Sequence, residues 1–346
     1  MGRLARLDAE ICAASRAGET AAPKGTASRG VARRLELMRY TLQYALAGMA
    51  AMLLPALLAG NAERVQAAEV KATKAQARFS RGLLWRVSKP GVAPSHVFGT
   101  IHIADPRVLL IPDPVRQALA QAKSYAMEIQ FNPAVEARFS EAAQFEDGRR
   151  LEPMIGAEAF AQLRTGLRLR EVPEEIIARM KPWAALANLT VTPEDYDQFT
   201  LDQKLYALAR ARRLPTFGLE GIEEQIAVFD GIPLDTQVAL LKHGLAEREY
   251  FVGLIEPTIQ AWLKRDLTAL HALQERTATR FPQMAEHYRV LAKHIVDNRS
   301  VVMAHRLFLP LARGSVFVAI GADHLYGEKG VLRLLQKQGY RVTRAY

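Results

Sequence analysis

Two short apolar runs, Ser95-His96-Val97-Phe98 and Val316-Phe317-Val318-Ala319-Ile320, leave into the same device: Gly99-Thr100-Ile101-His102 and Gly321-Ala322-Asp323-His324. Each run reads as a strand by its length and its β-branched and aromatic content. A glycine frees the backbone where each strand ends. Three residues on stands an imidazole, which binds metals or moves protons near neutral pH. The motifs lie more than 200 positions apart. Histidines placed this way at two strand ends can converge on one site. The competing reading is two unrelated strand ends with incidental histidines.

The folded part is shorter than the 346-residue chain. An uncharged apolar run covers 40–60, after Arg33, Arg34 and Arg39, and Val65-Gln66-Ala67 supplies a small-residue cleavage site. This layout is that of a secretory signal peptide, which predicts a leader over 1–67 and an exported, periplasmic product. Pro55 interrupts the run, which suits a cleaved segment better than a span; a membrane anchor over 40–60 is the alternative. Met38 is a second candidate start. A linker follows over 68–81, then one domain over 82–346.

The only cysteine, Cys12, lies in the leader. Stability of the mature part must come from its core, and any metal must be held by His, Asp or Glu. Of the net charge of +10, the leader carries nine basic and five acidic residues, which leaves +6 for the rest. No basic stripe with interleaved aromatics accompanies that charge, so a nucleic-acid partner is not expected.

Along the domain, Leu83–Val87 reads as a strand, Lys89-Pro90-Gly91 as a turn, and 95–101 as the returning strand. A helix follows over 112–123. Residues 125–131 form a strand with Glu128 as the polar member of the apolar set Tyr125, Met127, Ile129 and Phe131. Helices fill about 150–213, Pro215–Glu220 is a short strand ending on a carboxylate, and helices fill about 221–308. The stripe Met284, Tyr288, Leu291, Ile295 and Val302 takes in Asn298, which on a core face wants a hydrogen-bond partner. The end reads as strand 315–320, helix 327–338 capped at Gly339, and strand 340–343. The pattern predicts an α/β fold: a mixed sheet built from the N- and C-terminal segments, with a large helical middle.

His102, Glu128, Glu220 and His324 each lie in or just beyond a strand, and ligands gather at the carboxyl ends of strands in open α/β sheets. Two imidazoles and two carboxylates suit Zn²⁺, Mn²⁺ or Co²⁺. Equally, they suit metal-free acid–base work. The glutamates have a third reading, as partners of core arginines. No H-E-x-x-H helix is present.

Seven segments resemble the TraB/GumN family, which includes the Tiki metalloproteases: VFGTIHI (97–103), IPDPVRQAL (111–119), YAMEI (125–129), MKPWAALANL (180–189), LDQKLYALARARRLPTFGLEGIEEQ (201–225), DNRSVVMAHRL (297–307) and VFVAIGADHLYGEKGVLRLLQKQGYRV (316–342). The resemblance spans nearly all of 82–344. It implies an exported, metal-dependent, peptidase-like hydrolase acting on a peptide or another small substrate, with His102, Glu128, Glu220 and His324 in the active site. Gly99, Gly321, Glu224, Asn298 and Arg299 fall on supporting positions. The family is similar to a wider erythromycin-esterase-like and haem-binding ChaN-like group, which mixes hydrolases with ligand binders. A periplasmic binding protein or a non-catalytic envelope or polysaccharide accessory factor is therefore the alternative.

Overall fold

A computed structural model describes residues 79–168, 172–189 and 200–346. The leader, its apolar run over 40–60 and linker residues 68–78 lie outside these, as do 169–171 and 190–199 within the first helical stretch. The last residues of the expected linker belong to the folded body. Phe79 is buried and meets Trp85 edge to face, and Arg81 bridges to Asp266.

Six strands form one mixed sheet: β1 (Leu84–Lys89), β2 (Val92–Thr100), β3 (Ser124–Met127), β4 (Thr216–Gly218), β5 (Val316–Gly321) and β6 (Arg341–Arg344). Their order is β4-β3-β5-β2-β1-β6. The first four strands in that order run parallel, while β1 pairs antiparallel with both β2 and β6. The N- and C-terminal segments thus interleave, as the sequence predicts. Strand β5 is buried throughout. A parallel strand covered on both faces reads as a continuous apolar run rather than as an alternation. Strand β3 stops at Met127, short of the expected 131, so Glu128 sits just past its end.

The helices that matter to the site are α1 (Asp113–Gln121), α2 (Leu201–Ala211), α3 (Ile222–Asp230), α4 (Ala285–Ala292), α5 (Arg299–Arg306) and α6 (Val331–Lys337). Helix α2 opens at Thr200, whose backbone N–H donates to Gln203 Oε1 at 2.7 Å, one half of a capping box. Between α4 and α5 the chain widens into a π-helical segment, Lys293–Asn298. One cluster of buried side chains surrounds the sheet, with Phe98, Tyr125 and Phe317 at its centre. A second fills the helical part, where Trp183 stacks on Phe229 at 5.0 Å between centroids.

Candidate active site

Because β2, β5, β3 and β4 are parallel neighbours, their carboxyl ends open on one edge of the sheet. His102 leaves from β2, His324 from β5, Glu128 from β3 and Glu220 from β4. The two glutamates are held side by side by backbone: Glu220 N–H donates to the Glu128 carbonyl at 2.8 Å, continuing the β3–β4 pairing past the strands.

The first motif is gripped at both ends. The Trp262 indole N–H donates to the Gly99 carbonyl at 3.0 Å. His102 Nδ1 meets Asp202 Oδ2 at 2.8 Å, and the Thr100 hydroxyl donates to Asp202 Oδ1 at 2.6 Å. In the second motif, His324 Nδ1 lies 2.9 Å from Ser300 Oγ. That hydroxyl donates to the Val296 carbonyl at 2.7 Å, so its oxygen accepts from His324 Nδ1–H. His324 Nε2 is left without a proton, 3.9 Å from Glu128 Oε1.

The motif glycines provide space. A Cβ on Gly321 would come within 3.2 Å of Glu128 Oε1, 3.5 Å of the His324 ring and 3.7 Å of His102 Nε2. All three side chains therefore converge on one backbone atom. A Cβ on Gly99 would lie 2.7 Å from Leu325 and 3.2 Å from the Ala322 backbone, so this glycine lets β2 close onto the second motif. Close approach, not a left-handed backbone, is what both positions require.

Arg299 joins the glutamates. Its Nη2 donates to Glu128 Oε2 and to Glu220 Oε2, both at 2.6 Å, and its Nε donates to Glu220 at 3.0 Å. Glu128 Oε1 accepts the Gly321 N–H at 2.7 Å, and Gln225 donates to Glu220 Oε2 at 3.3 Å. The guanidinium and both carboxylates are buried. The glutamates thus share the histidines' neighbourhood and also pair with a core arginine.

The electrostatics separate the two histidines. Burial lowers His102, but the Asp202 carboxylate outweighs it and raises the ring to about 9. Burial holds His324 down at about 4, against the pull of Glu128. Burial also disfavours the Glu128 anion, yet Arg299 above all, with the histidines and the Gly321 amide, holds this carboxyl well below the usual carboxylate range. Asp323, half-buried beside the centre, is raised by burial to about 6.

These shifts set a pH profile for the metal-free protein. His102 binds its proton more tightly folded than unfolded, so its contribution is complete below pH 6.5 and is lost as pH rises through about 9. His324 does the reverse: its contribution is present above pH 6.5 and is lost as pH falls through about 4. Asp323, raised to about 6, opposes His324 between about pH 4 and 6, so that limb is shallow until Glu128 begins to protonate; above pH 6.5 stability should fall through about 9, by at most about 1.4 kcal/mol per pH unit. Urea unfolding at a series of pH values measures it; a flat profile would contradict these assignments.

The supporting positions divide. Glu224 accepts the Gly221 N–H at 2.8 Å and pairs with Arg306, whose Nη1 also donates to the Leu219 carbonyl at 2.7 Å. It ties α3 and α5 to the end of β4 and does not touch the histidines. Asn298 is exposed, not on the core stripe. The π segment takes more residues per turn than an α-helix, so the face read at a 3.6 period turns away just before Arg299 and Ser300 turn inward. Sequence reading passed over Asp202, Thr100 and Ser300. The one local signal for Asp202 was a carboxylate next to the apolar stripe of α2. A cavity of about 790 Å³ opens between Leu163, Leu189, Leu245 and Tyr250, but none of the four site residues lines it.

Fold and site define an α/β protein with a histidine–glutamate–arginine centre at the carboxyl edge of its parallel strands. The sequence model of the TraB/PrgY/gumN family matches residues 83–344, and the chain belongs to that family. It is similar to the metalloprotease TIKI2 of Danio rerio, at 24% identity over 313 residues that cover 75% of this chain and 60% of TIKI2. It is also similar to the uncharacterized protein YbaP of Shigella flexneri, at 23% identity over 259 residues that cover 72% of this chain and 90% of YbaP. The chain thus spans less than two thirds of TIKI2's length. No solved structure matches it.

A divalent ion is the group a metalloprotease relative implies. Among the described residues, no three His, Cys, Asp or Glu side chains stand grouped as a ready set of metal ligands. The donor chemistry that fits an ion is that of His102, His324 and Glu128. Both rings are anchored through Nδ1, as metal-binding histidines are, and the carboxylate lies against the same glycine. Glu220, expected among the ligands, meets Arg299 and Gln225, whereas Glu128 is the carboxylate that lies beside His324.

Proposed function

We propose that this chain is a metal-dependent, peptidase-like hydrolase whose reacting centre is His102, His324 and Glu128. The convergence of these three side chains on Gly321 carries the reading, and the likeness to a metalloprotease supports it. Zn²⁺, Mn²⁺ or Co²⁺ bound there would acidify water and polarise a scissile carbonyl. The chain's own residues prepare the site. Asp202 and Ser300 aim the rings, Arg299 fixes the Glu128 carboxylate, and Glu220 balances the guanidinium. The substrate is a peptide or another small molecule with a hydrolysable carbonyl.

One observation favours a second reading, metal-free acid–base catalysis: the two rings are pushed apart, to about 9 and about 4, within one site. Metal analysis of the purified protein with a peptide-library cleavage assay separates the two. The first reading expects bound divalent metal and cleavage that a chelator stops and the metal restores. Cleavage indifferent to chelator favours the second, and tight ligand retention without turnover favours a binding protein.

Export belongs to the same proposal. The uncharged run over 40–60 and Val65-Gln66-Ala67 support removal of the leader. Mass spectrometry of the secreted protein should find an N-terminus near Ala68. Retention of residues 40–60 would instead favour a membrane-anchored form.

A further inference from the structure

We infer that Asp202 is a positioning residue of this centre: it fixes His102 with Nε2 turned toward Glu128 and His324, and Thr100 in turn fixes Asp202. The inference rests on the hydrolase reading for what the ring then does, and on geometry for how the ring is held.

Asp202 is buried on the first turn of α2 and has one hydrogen bond to each carboxylate oxygen. A carboxylate can only accept, so His102 donates from Nδ1, and the neutral ring carries its lone pair on Nε2. That atom is the one lying nearest the Gly321 α-carbon's open side, where Glu128 and His324 also meet. Rotating the ring, or moving its proton to Nε2, would break the bond to Asp202 and leave a buried carboxylate oxygen unpaired. The carboxylate is itself well placed, because the amino end of an α-helix favours negative charge. The bond from the Thr200 N–H to Gln203 Oε1 braces the turn that carries it.

Thr100 and His102 both come from the first motif, so Gly-Thr-Ile-His grips one carboxylate with two of its four residues. In the second motif, Ala322 stands where Thr100 does and has no hydroxyl, and His324 is held by Ser300 of α5 instead. The two motifs look alike in sequence but are supported differently. One ring is backed by a carboxylate and the other by a neutral hydroxyl. A carboxylate partner makes a ring the stronger electron donor, so His102 is the stronger of the two.

Asp202→Ala and Thr100→Val test this, with Co²⁺ as the metal probe and ¹⁵N-histidine NMR as the probe of the ring. Losing such a partner typically weakens metal binding by about 10–100-fold. Asp202→Ala should show a fall of that size in Co²⁺ affinity, and Thr100→Val a smaller one. With the ring neutral, His102 should be protonated at Nδ1 in the wild-type protein and show mixed tautomers in Asp202→Ala. A purely structural Asp202 would lower the melting temperature while leaving Co²⁺ affinity and the ring signals unchanged, and that result overturns the inference. If the wild-type protein takes up no Co²⁺, the metal-dependent reading fails by itself. The His102 signals still decide: mixed tautomers in Asp202→Ala support the positioning role, and an unchanged ring overturns it. If Asp202→Ala does not fold, Asp202→Asn is read by Co²⁺ affinity: a neutral amide strengthens the ring less than a carboxylate, so affinity should fall, and wild-type affinity in Asp202→Asn overturns the inference.

Discussion

Arg299→Met is expected to destabilise the protein by about 3–5 kcal/mol, the usual cost of leaving a buried charge without its partner. The buried guanidinium is shared by two buried carboxylates, Glu128 and Glu220, so its loss strips a partner from both at once. Methionine matches the length of the side chain but offers no donor. Both glutamates then keep only the Gly321 amide, the Gln225 amide and the histidines as partners. Arg299→Lys should fall in between, since an ammonium keeps the charge but not the fork that reaches both carboxylates. Urea unfolding of the three proteins measures the loss. A change under about 1 kcal/mol for Arg299→Met, the scale of an exposed pair, would show that the cluster does not hold this edge of the sheet together.

Glu128→Gln is expected to reduce turnover by about 10²–10⁴-fold, the range for a group acting directly on the reacting atoms. The amide oxygen can still accept the Gly321 N–H, so the strand exit survives. Its NH₂, however, faces the Arg299 Nη2 donor, and a modest loss of stability should accompany the loss of turnover. Glu220→Gln should cost less activity, because Glu220 meets Arg299 and Gln225 and none of the histidines. Steady-state kinetics on a substrate from the peptide library, with thermal melts alongside, compares the two. Turnover abolished by Glu220→Gln and spared by Glu128→Gln would reverse their roles.

The strand ends were legible because a parallel core strand is a short apolar run that stops abruptly. The exits at Gly99, Glu128, Glu220 and Gly321 all fall where such a run ends. The pairing of the two motifs was legible as well, since the same Gly-x-x-His spacing follows an apolar run twice in one chain. The partners that orient the site were not. Asp202 meets His102 across 100 positions, and Arg299 meets Glu128 across 171. No local pattern records contacts of that range. Asn298 was misplaced for a different reason. A 3.6 period describes an α-helix, and a single π segment shifts every later residue to a new face. In the sequence the two glycines signal backbone freedom; in the structure they supply room for Leu325 and for Glu128.

If the two Gly-x-x-His motifs form one hydrolytic centre, their histidines act as a unit, and residues that act as a unit are strongly non-additive. The decisive measurement is kcat/KM for His102→Asn, His324→Asn and the double variant on one library substrate. Each single variant should lose nearly all activity, and the double variant should be little worse than either. A single variant that keeps wild-type turnover, or losses that simply multiply in the double variant, would contradict a shared centre.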